Sequence, residues 1–356
     1  MLHGSFSSNR RRQWVAVVSL IFTFTAGVAQ ADVGLTTLPR NGDDPPATVF
    51  YPTSTPESTV RRGPFELRVA VDAPPSRGNG RLIVFSHGSG GHAWVHSDLA
   101  RALVQDGFVV IAPLHKGDNT FDPGNPGPDS WKLRPAELSR AIDAIGRDAR
   151  FAPLLALDRV GVYGMSAGGH TALSMAGGAW SPGNFKRHCE AHIEEDFPSC
   201  VGLIIRQGGG WFAAVKRWVA LAVIGSRFDD DVLQTHGDPR VAAVVAGVPS
   251  SADFELSSLT KPRVPLALVT SGRDAWLAPK FHGERVLAAC TPCVRLVDMP
   301  DAGHGALLSP FPPGLSGIEA ELLTDPPGFD RSRLPEVDAK IVAFFRQHLV
   351  SSIATR

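Results

Sequence analysis

Arg159-Val160-Gly161-Val162-Tyr163-Gly164-Met165-Ser166-Ala167-Gly168-Gly169-His170-Thr171-Ala172-Leu173-Ser174-Met175-Ala176 is the stretch that decides the fold. Its first five residues form an apolar run that reads as a buried strand, and Gly169 to Ala176 reads as a helix. Between them, Gly164-Met165-Ser166-Ala167-Gly168 has the spacing of a G-x-S-x-G elbow. In a strand–turn–helix context this turn is sharp and strained, and it lifts the serine hydroxyl to the head of the helix above the sheet. The flanking glycines leave room for strand and helix to pass close by. The alternative is a glycine-rich turn with an incidental serine, and partners elsewhere in the chain decide between the two.

A serine hydroxyl is a weak nucleophile near neutral pH and needs a base. Histidine suits that task because it titrates near working pH. The base belongs on a loop after the last strand, where His304 lies in Pro300-Asp301-Ala302-Gly303-His304-Gly305. The other histidines fit less well. His87 and His170 fall inside glycine-rich turns, His188, His192 and His236 lie in the segment 179–240, and His348 lies in the last helix. An acid must then hold the imidazole in one tautomer. Asp274, in Ser271-Gly272-Arg273-Asp274, follows the strand read over 264–270 and gives the order Ser, Asp, His. Asp253 is the competitor, while Asp298 and Asp301 point from a strand and a tight turn.

A tetrahedral intermediate needs donors aimed at its oxygen. The Ala167 amide, next after the serine at a helix N-terminus, is one candidate. The Ser89 amide is the second, from the loop Ser86-His87-Gly88-Ser89-Gly90-Gly91 after the strand read over 81–85. This loop lacks the Lys-Ser/Thr of a phosphate-binding P-loop and does not match G-x-G-x-x-G.

Working outward, residues 32–75 read as early antiparallel strands, with β signal at 48–52 and 65–71 and a polar, proline-bearing loop between them. Strands at 108–113, 241–247 and 294–299 alternate with helical patterns at 96–106 and after Pro135, where Leu138, Ile142 and Ile145 share a face. A final helix over 335–349 offers Val337, Ile341, Phe344 and Phe345 to the core. Alternation of this kind implies a mostly parallel sheet flanked by helices. Residues 179–240 break the alternation. They are far too long for an ordinary βα connection and read as a cap inserted after the elbow helix. The cap holds Trp180, Trp211, Phe212 and Trp218, some of which are expected in an acyl or alcohol pocket. Phe212, Val215, Val219 and Val223 recur at helical spacing. Trp218 in that helix reads as part of the cap's own core, whereas Trp211, after Gly208-Gly209-Gly210, reads as substrate-binding.

Residues 1–31 read as a secretory signal: Arg10-Arg11-Arg12, a short apolar run from Trp14 to Val28, and the A-x-A site Ala29-Gln30-Ala31. This predicts a periplasmic or secreted protein with no stable membrane anchor after cleavage, beginning at Asp32. The chain has 356 residues with 35 basic and 35 acidic side chains, a balance that offers no nucleic-acid surface. Four cysteines, Cys189, Cys200, Cys290 and Cys293, form an even set in an exported protein and predict pairing of nearest neighbours.

These motifs give the chain a resemblance to secreted α/β-hydrolases related to dienelactone hydrolases and platelet-activating-factor acetylhydrolases, over roughly residues 45–350. The residues that carry it are the 86–91 loop, the elbow, the Gly272-Arg273-Asp274 turn and Ala302-Gly303-His304-Gly305. The resemblance implies an α/β-hydrolase fold. Dienelactone hydrolases carry cysteine at the elbow, so serine here favours ordinary ester hydrolysis. The expectation is a serine carboxylic-ester hydrolase acting on a small-molecule ester, with no metal or cofactor. Rivals on the same site are lactone or polyester hydrolysis and acyl transfer, and a rival of another class is a non-catalytic binding protein on the same fold.

Overall fold

Short apolar runs separated by amphipathic helices build a ten-stranded sheet covered by helices on both faces. The computed structural model describes residues 1–4, 31–202, 205–206 and 211–350, without the side chain of Trp211. The signal-peptide reading therefore falls almost entirely outside the described residues. The described residues from Ala31 onward belong to one compact unit.

In chain order the strands are β1 (Asp32–Leu38), β2 (Ala47–Thr53), β3 (Ser58–Arg62), β4 (Phe65–Val71), β5 (Leu82–Ser86), β6 (Val109–Pro113), β7 (Val160–Met165), β8 (Ala179–Trp180), β9 (Val241–Gly247), β10 (Phe254–Glu255), β11 (Leu266–Ser271) and β12 (Val294–Met299). The helices are α1 (Ser97–Gln105), α2 (Pro128–Arg147), α3 (Ala167–Met175), α4 (Pro182–His192), α5 (Phe197–Val201), α6 (Trp211–Arg227), α7 (Gly283–Ala289), α8 (Gly317–Leu323) and α9 (Leu334–Phe345). The main sheet runs β12-β11-β9-β7-β5-β6-β2-β1-β4-β3, and β8 and β10 form a separate two-stranded sheet. From β6 to β12 every pairing is parallel. β2 joins β6 antiparallel and begins the N-terminal extension.

The two-residue period of the strands sends alternate side chains to opposite faces. Leu82, Val84, Val109, Ile111, Val160 and Val162 pack with Leu138, Ile142 and Ile145 of α2 and with Ala172 and Leu173 of α3. On the other face, Ile83, Phe85, Val110 and Met165 pack with Leu99 and Leu103 of α1 and with Ile341 and Phe345 of α9.

Three details differ from the sequence reading. The polar loop between β2 and β4 contains strand β3, whose solvent-facing pattern lacks the apolar alternation that marks a strand. Helix α2 begins at Pro128 and carries Pro135 in its interior, seven residues in. An interior proline costs about 3 kcal/mol. Burial of Trp131 and Arg134 on the N-terminal side of Pro135 keeps the helix continuous. Finally, the face of α6 that the helical spacing marks as apolar is exposed: Phe212, Val215, Val219 and Val223 face solvent, Trp218 does too rather than joining the cap's own core, and Ala213, Ala220 and Ile224 form the buried face. Two of these three buried positions are alanines, and this side of α6 packs near α4.

Both expected disulfides are present, Cys189–Cys200 joining α4 to α5 and Cys290–Cys293 leading into β12. Among the described residues no helix is long and apolar enough to cross a membrane.

Candidate active site

The parallel strands change direction of travel at β5, which has β6 on one side and β7 on the other. In open α/β sheets a ligand crevice forms outside the carboxyl ends of the strands at such a switch point. Here those ends carry the 86–91 loop after β5 and Ser166 after β7.

Ser166 occupies φ +60°, ψ −121°, a region that costs a non-glycine residue about 1–3 kcal/mol. Its neighbours hold it there. The Ser166 N–H donates to Gly247 O at 3.0 Å, and the N–H groups of Ser250 and His170 donate to Ser166 O at 3.1 and 3.0 Å. The turn leaves no room for side chains beside it: a Cβ on Gly164 would lie 2.0 Å from Gly168 O, and one on Gly168 would lie 1.9 Å from Ser86 O. Val248, just beyond the carbonyl that holds Ser166, also has positive φ, +35°. For a β-branched residue that is an outlier, and it marks 247–250 as a second strained support that no sequence motif announces.

His304 begins a short 3-10 turn after β12, and Asp274 follows β11. The two loops are bonded to each other through Gly272 N–H to Met299 O and Arg273 N–H to Ala302 O, both 2.9 Å. His304 Nδ1 lies 2.7 Å from Asp274 Oδ2, and His304 Nε2 lies 2.9 Å from Ser166 Oγ. The second oxygen, Asp274 Oδ1, accepts the amides of Trp276 and Leu277, each at 2.8 Å. The carboxylate is thereby fixed in plane and aim. With Nδ1–H donated to Asp274, a neutral His304 turns a lone pair toward the serine hydroxyl. Trp276, which no sequence motif singles out, places its ring 5.1 Å from that of His304.

The structure thus brings together Ser166, Asp274 and His304. Asp253, the competing acid, is engaged elsewhere: Oδ2 meets His170 Nε2 at 3.0 Å inside a box of Trp131, Trp180 and Phe254. Trp180 is buried in that box, away from solvent. Ala167 begins α3, where first-turn amides have no partner within the helix. The 86–91 loop lies over the elbow, since a Cβ on Gly88 would stand 3.4 Å from Ser166 Cβ. The Ser89 hydroxyl points back to Asp118 Oδ1 at 2.7 Å. Trp211 opens α6, and its side chain lies outside the described atoms.

Burial also sets the charge state behind the loop. His87 and His115 are held well below the ordinary histidine range by burial, helped at His115 by Arg134 and at His87 by His115 and then Arg134. His115 connects Ser86 Oγ, 2.8 Å from Nε2, with Glu137 Oε2, 2.6 Å from Nδ1. This chain has the residue order of a second Ser-His-acid relay, but it is sealed from solvent at Ser86 and His115. It braces the loop from behind.

His188, Asp196 and His282 cluster closely enough to suggest a cation site. Their hydrogen bonds argue otherwise. His282 Nδ1 accepts the Ser251 N–H at 3.0 Å, so its hydrogen is on Nε2, directed at Asp196 Oδ2 at 3.0 Å. That ring has no lone pair for a metal. The cluster is instead a clasp. Asp196 also takes His188 Nε2 at 2.8 Å and the Ala278 N–H at 3.1 Å, tying α4 to the loop that carries Asp274.

No family model matches the chain, and no curated protein matches it in sequence. In structure it is similar to a ferulic acid esterase from Streptomyces cinnamoneus, at 18% sequence identity, with 93% of this chain and 95% of that chain covered and a TM-score of 0.56. A mostly parallel sheet with helices on both faces, a strained serine at the end of β7 and this structural likeness together establish the α/β-hydrolase fold, with α4–α6 inserted between α3 and β9.

Proposed function

We propose that the chain is a serine hydrolase that cleaves carboxylic esters through an acyl-enzyme. The observation that carries this is His304, bonded through one ring nitrogen to Asp274 and through the other to the hydroxyl of a serine in a strained elbow. Ser166 Oγ attacks the ester carbonyl while His304 Nε2 takes its proton. Asp274 holds the imidazole and balances the imidazolium that forms. The amides of Ala167 and Ser89 receive the oxyanion. His304 then gives the proton to the departing alcohol, and water repeats the sequence to release the acid. The proposal asks for no metal or cofactor.

In this reading residues 179–240 are a cap over the substrate, with Trp211 as one of its pocket residues. The reading includes export, with the chain cut after Ala31 and working in the periplasm or outside the cell; the two disulfides support the export. The similar ferulic acid esterase makes aromatic-acid esters worth testing beside simple ones. Lactones, polyesters and acyl transfer are the alternatives on the same site.

The test is labelling by a fluorophosphonate, followed by mapping of the modified peptide, together with turnover of p-nitrophenyl esters of rising chain length and a feruloyl ester. The reading requires phosphonate on Ser166 and turnover that Ser166→Ala abolishes. A folded protein that neither labels nor turns over any ester would support a binding protein on this fold instead.

A further inference from the structure

We infer that Arg134 and Asp118 are positioning residues for the oxyanion site: their buried ion pair grips the 86–91 loop on both sides of the Gly88–Ser89 peptide and sets where the Ser89 amide points. The inference rests on the ester-hydrolase reading above and deepens it.

Both side chains are almost completely buried, at 0% and 1% exposure. Burying a charge pair is expensive unless its remaining donors and acceptors are satisfied, and here the bonds go to the loop. Arg134 Nη2 donates to Asp118 Oδ2 at 2.7 Å, and Nε donates to Ser130 Oγ at 3.0 Å. Nη1 donates to His87 O at 2.6 Å, which fixes the loop just before Gly88. The other carboxylate oxygen, Asp118 Oδ1, accepts the Ser89 hydroxyl at 2.7 Å and the Gly90 N–H at 2.8 Å, which fixes the loop just after it. One rigid guanidinium–carboxylate unit therefore brackets a single peptide group.

The orientation of that peptide is set as well. His87 Nε2 accepts the His115 N–H at 3.3 Å, so the ring hydrogen is on Nδ1, which donates to Gly88 O at 2.8 Å. Gly88 O also accepts the Gly91 N–H at 3.0 Å. In a planar trans peptide the N–H points opposite to the C=O. With the carbonyl of Gly88 held inside the loop, the amide of Ser89 is directed out of it, while Gly88 itself lies against Ser166. Arg134 and Glu137, three apart on α2, thus reach the loop on two routes: Arg134 directly, and Glu137 through His115.

A donor that is present but displaced stabilises the ground state and the transition state alike; only a donor aimed at the developing oxyanion speeds the chemical step. Loosening the bracket should therefore act on kcat and spare KM. The variants are Arg134→Lys, which keeps a cation but loses the fork, Asp118→Asn, and Ser89→Ala, which cuts one tie and disturbs the core least. Each is measured by circular dichroism, by kcat and KM on a p-nitrophenyl ester, and by affinity for a boronic acid that forms a tetrahedral adduct on Ser166. Removing one oxyanion donor outright costs about 10²–10³ in kcat. The expectation here is a fall of about 10–100-fold in kcat for Arg134→Lys and Asp118→Asn, a smaller fall for Ser89→Ala, a parallel loss of boronate affinity, and KM within about threefold of the parent. Folded Arg134→Lys and Ser89→Ala proteins with parental kcat and boronate affinity would overturn the inference, even if Asp118→Asn fails to fold. A rise in KM alone would overturn it too. A parent chain that neither labels at Ser166 nor hydrolyses esters removes the ester-hydrolase reading itself, and this inference with it, which the parental measurements reveal before any variant is made.

Discussion

Asp253 bonds His170, not His304: its carboxylate meets Nε2 of His170 at 3.0 Å, with both side chains sealed in the core. Asp274, one strand further along the sheet, is the acid that reaches His304. The two aspartates should therefore respond oppositely to the same substitution. Asp274→Asn should lower kcat by about 10³–10⁴ with little change in melting temperature, because the imidazole loses its orienting partner. Asp253→Asn should lower stability and leave kcat of the folded fraction within a few-fold. Ser166→Ala and His304→Ala should each cost several orders of magnitude, and the double variant little more than either single. Ester kinetics paired with thermal melts decide the matter. A mild Asp274→Asn beside a crippling Asp253→Asn would reassign the acid.

The residues proposed for chemistry were legible because the reaction demands fixed residue types at strand ends in a fixed order. Ser166, Asp274 and His304 lie on three separate loops, yet each follows a recognisable strand. The supports were not legible. Arg134 and Asp118 look in sequence like any solvated charges, and only tertiary packing reveals that they are buried. Pro135 reads as a helix start because it lacks an N–H. Pro128 takes that place and tertiary burial overrides the break. The loop singles out Ser89 in the sequence, but the carboxylate that holds its hydroxyl comes from 29 residues away. Strand β3 pairs with β4 through backbone bonds that do not depend on side-chain pattern.

Four buried histidines predict loss of stability in mild acid. Burial pushes His92 and His96 down to about 4, and His87 and His115 are also held well below the ordinary range, again mainly by burial. Their folded-state pKa values lie below the unfolded value of about 6.5. The unfolded chain therefore binds more protons in that window, and stability falls as pH drops through it. Each fully neutral histidine contributes up to about 1.4 kcal/mol per pH unit below 6.5. Urea denaturation at pH 7.5, 6 and 5 should show the midpoint falling, and His96→Phe should flatten the slope by one histidine's share. A midpoint constant from pH 7.5 to 5 would contradict the burial argument.

Asp196 should matter to stability beyond what an exposed acid does. Burial pushes its carboxyl up, but hydrogen bonds from His188, His282 and Ala278 outweigh this and hold it well below the ordinary carboxylate range. A depressed pKa means the contribution is in place above the unfolded value of about 4 and is lost as pH falls below it. Asp196→Ala leaves two imidazoles and an amide without their partner and should cost about 3–5 kcal/mol. Because Ala278 belongs to the loop after Asp274, kcat should fall as well. Denaturant unfolding and ester turnover check both. A variant with parental stability would show that the clasp contributes nothing to the fold.

Helix α6 provides the last prediction, because its pattern and its packing point in different directions. Its spacing marks Phe212, Val215, Val219 and Val223 as one apolar stripe, yet these and Trp218 face solvent, while Ile224 is 3% exposed. Because Ala213, Ala220 and Ile224 form the buried face, Trp218→Ser and Val223→Ser should change stability by no more than about 0.5 kcal/mol. Ile224→Ala should cost about 2–5 kcal/mol, since it removes buried methyl groups and leaves a cavity. Trp211→Ala, at the start of the same helix, should shift the preferred acyl chain length more than it lowers the melting temperature, in keeping with a pocket role. The comparison needs only thermal melts and a chain-length series. Large losses from the two serine variants and a small one from Ile224→Ala would mean that the apolar stripe is packed in solution, against a partner surface or another part of the chain.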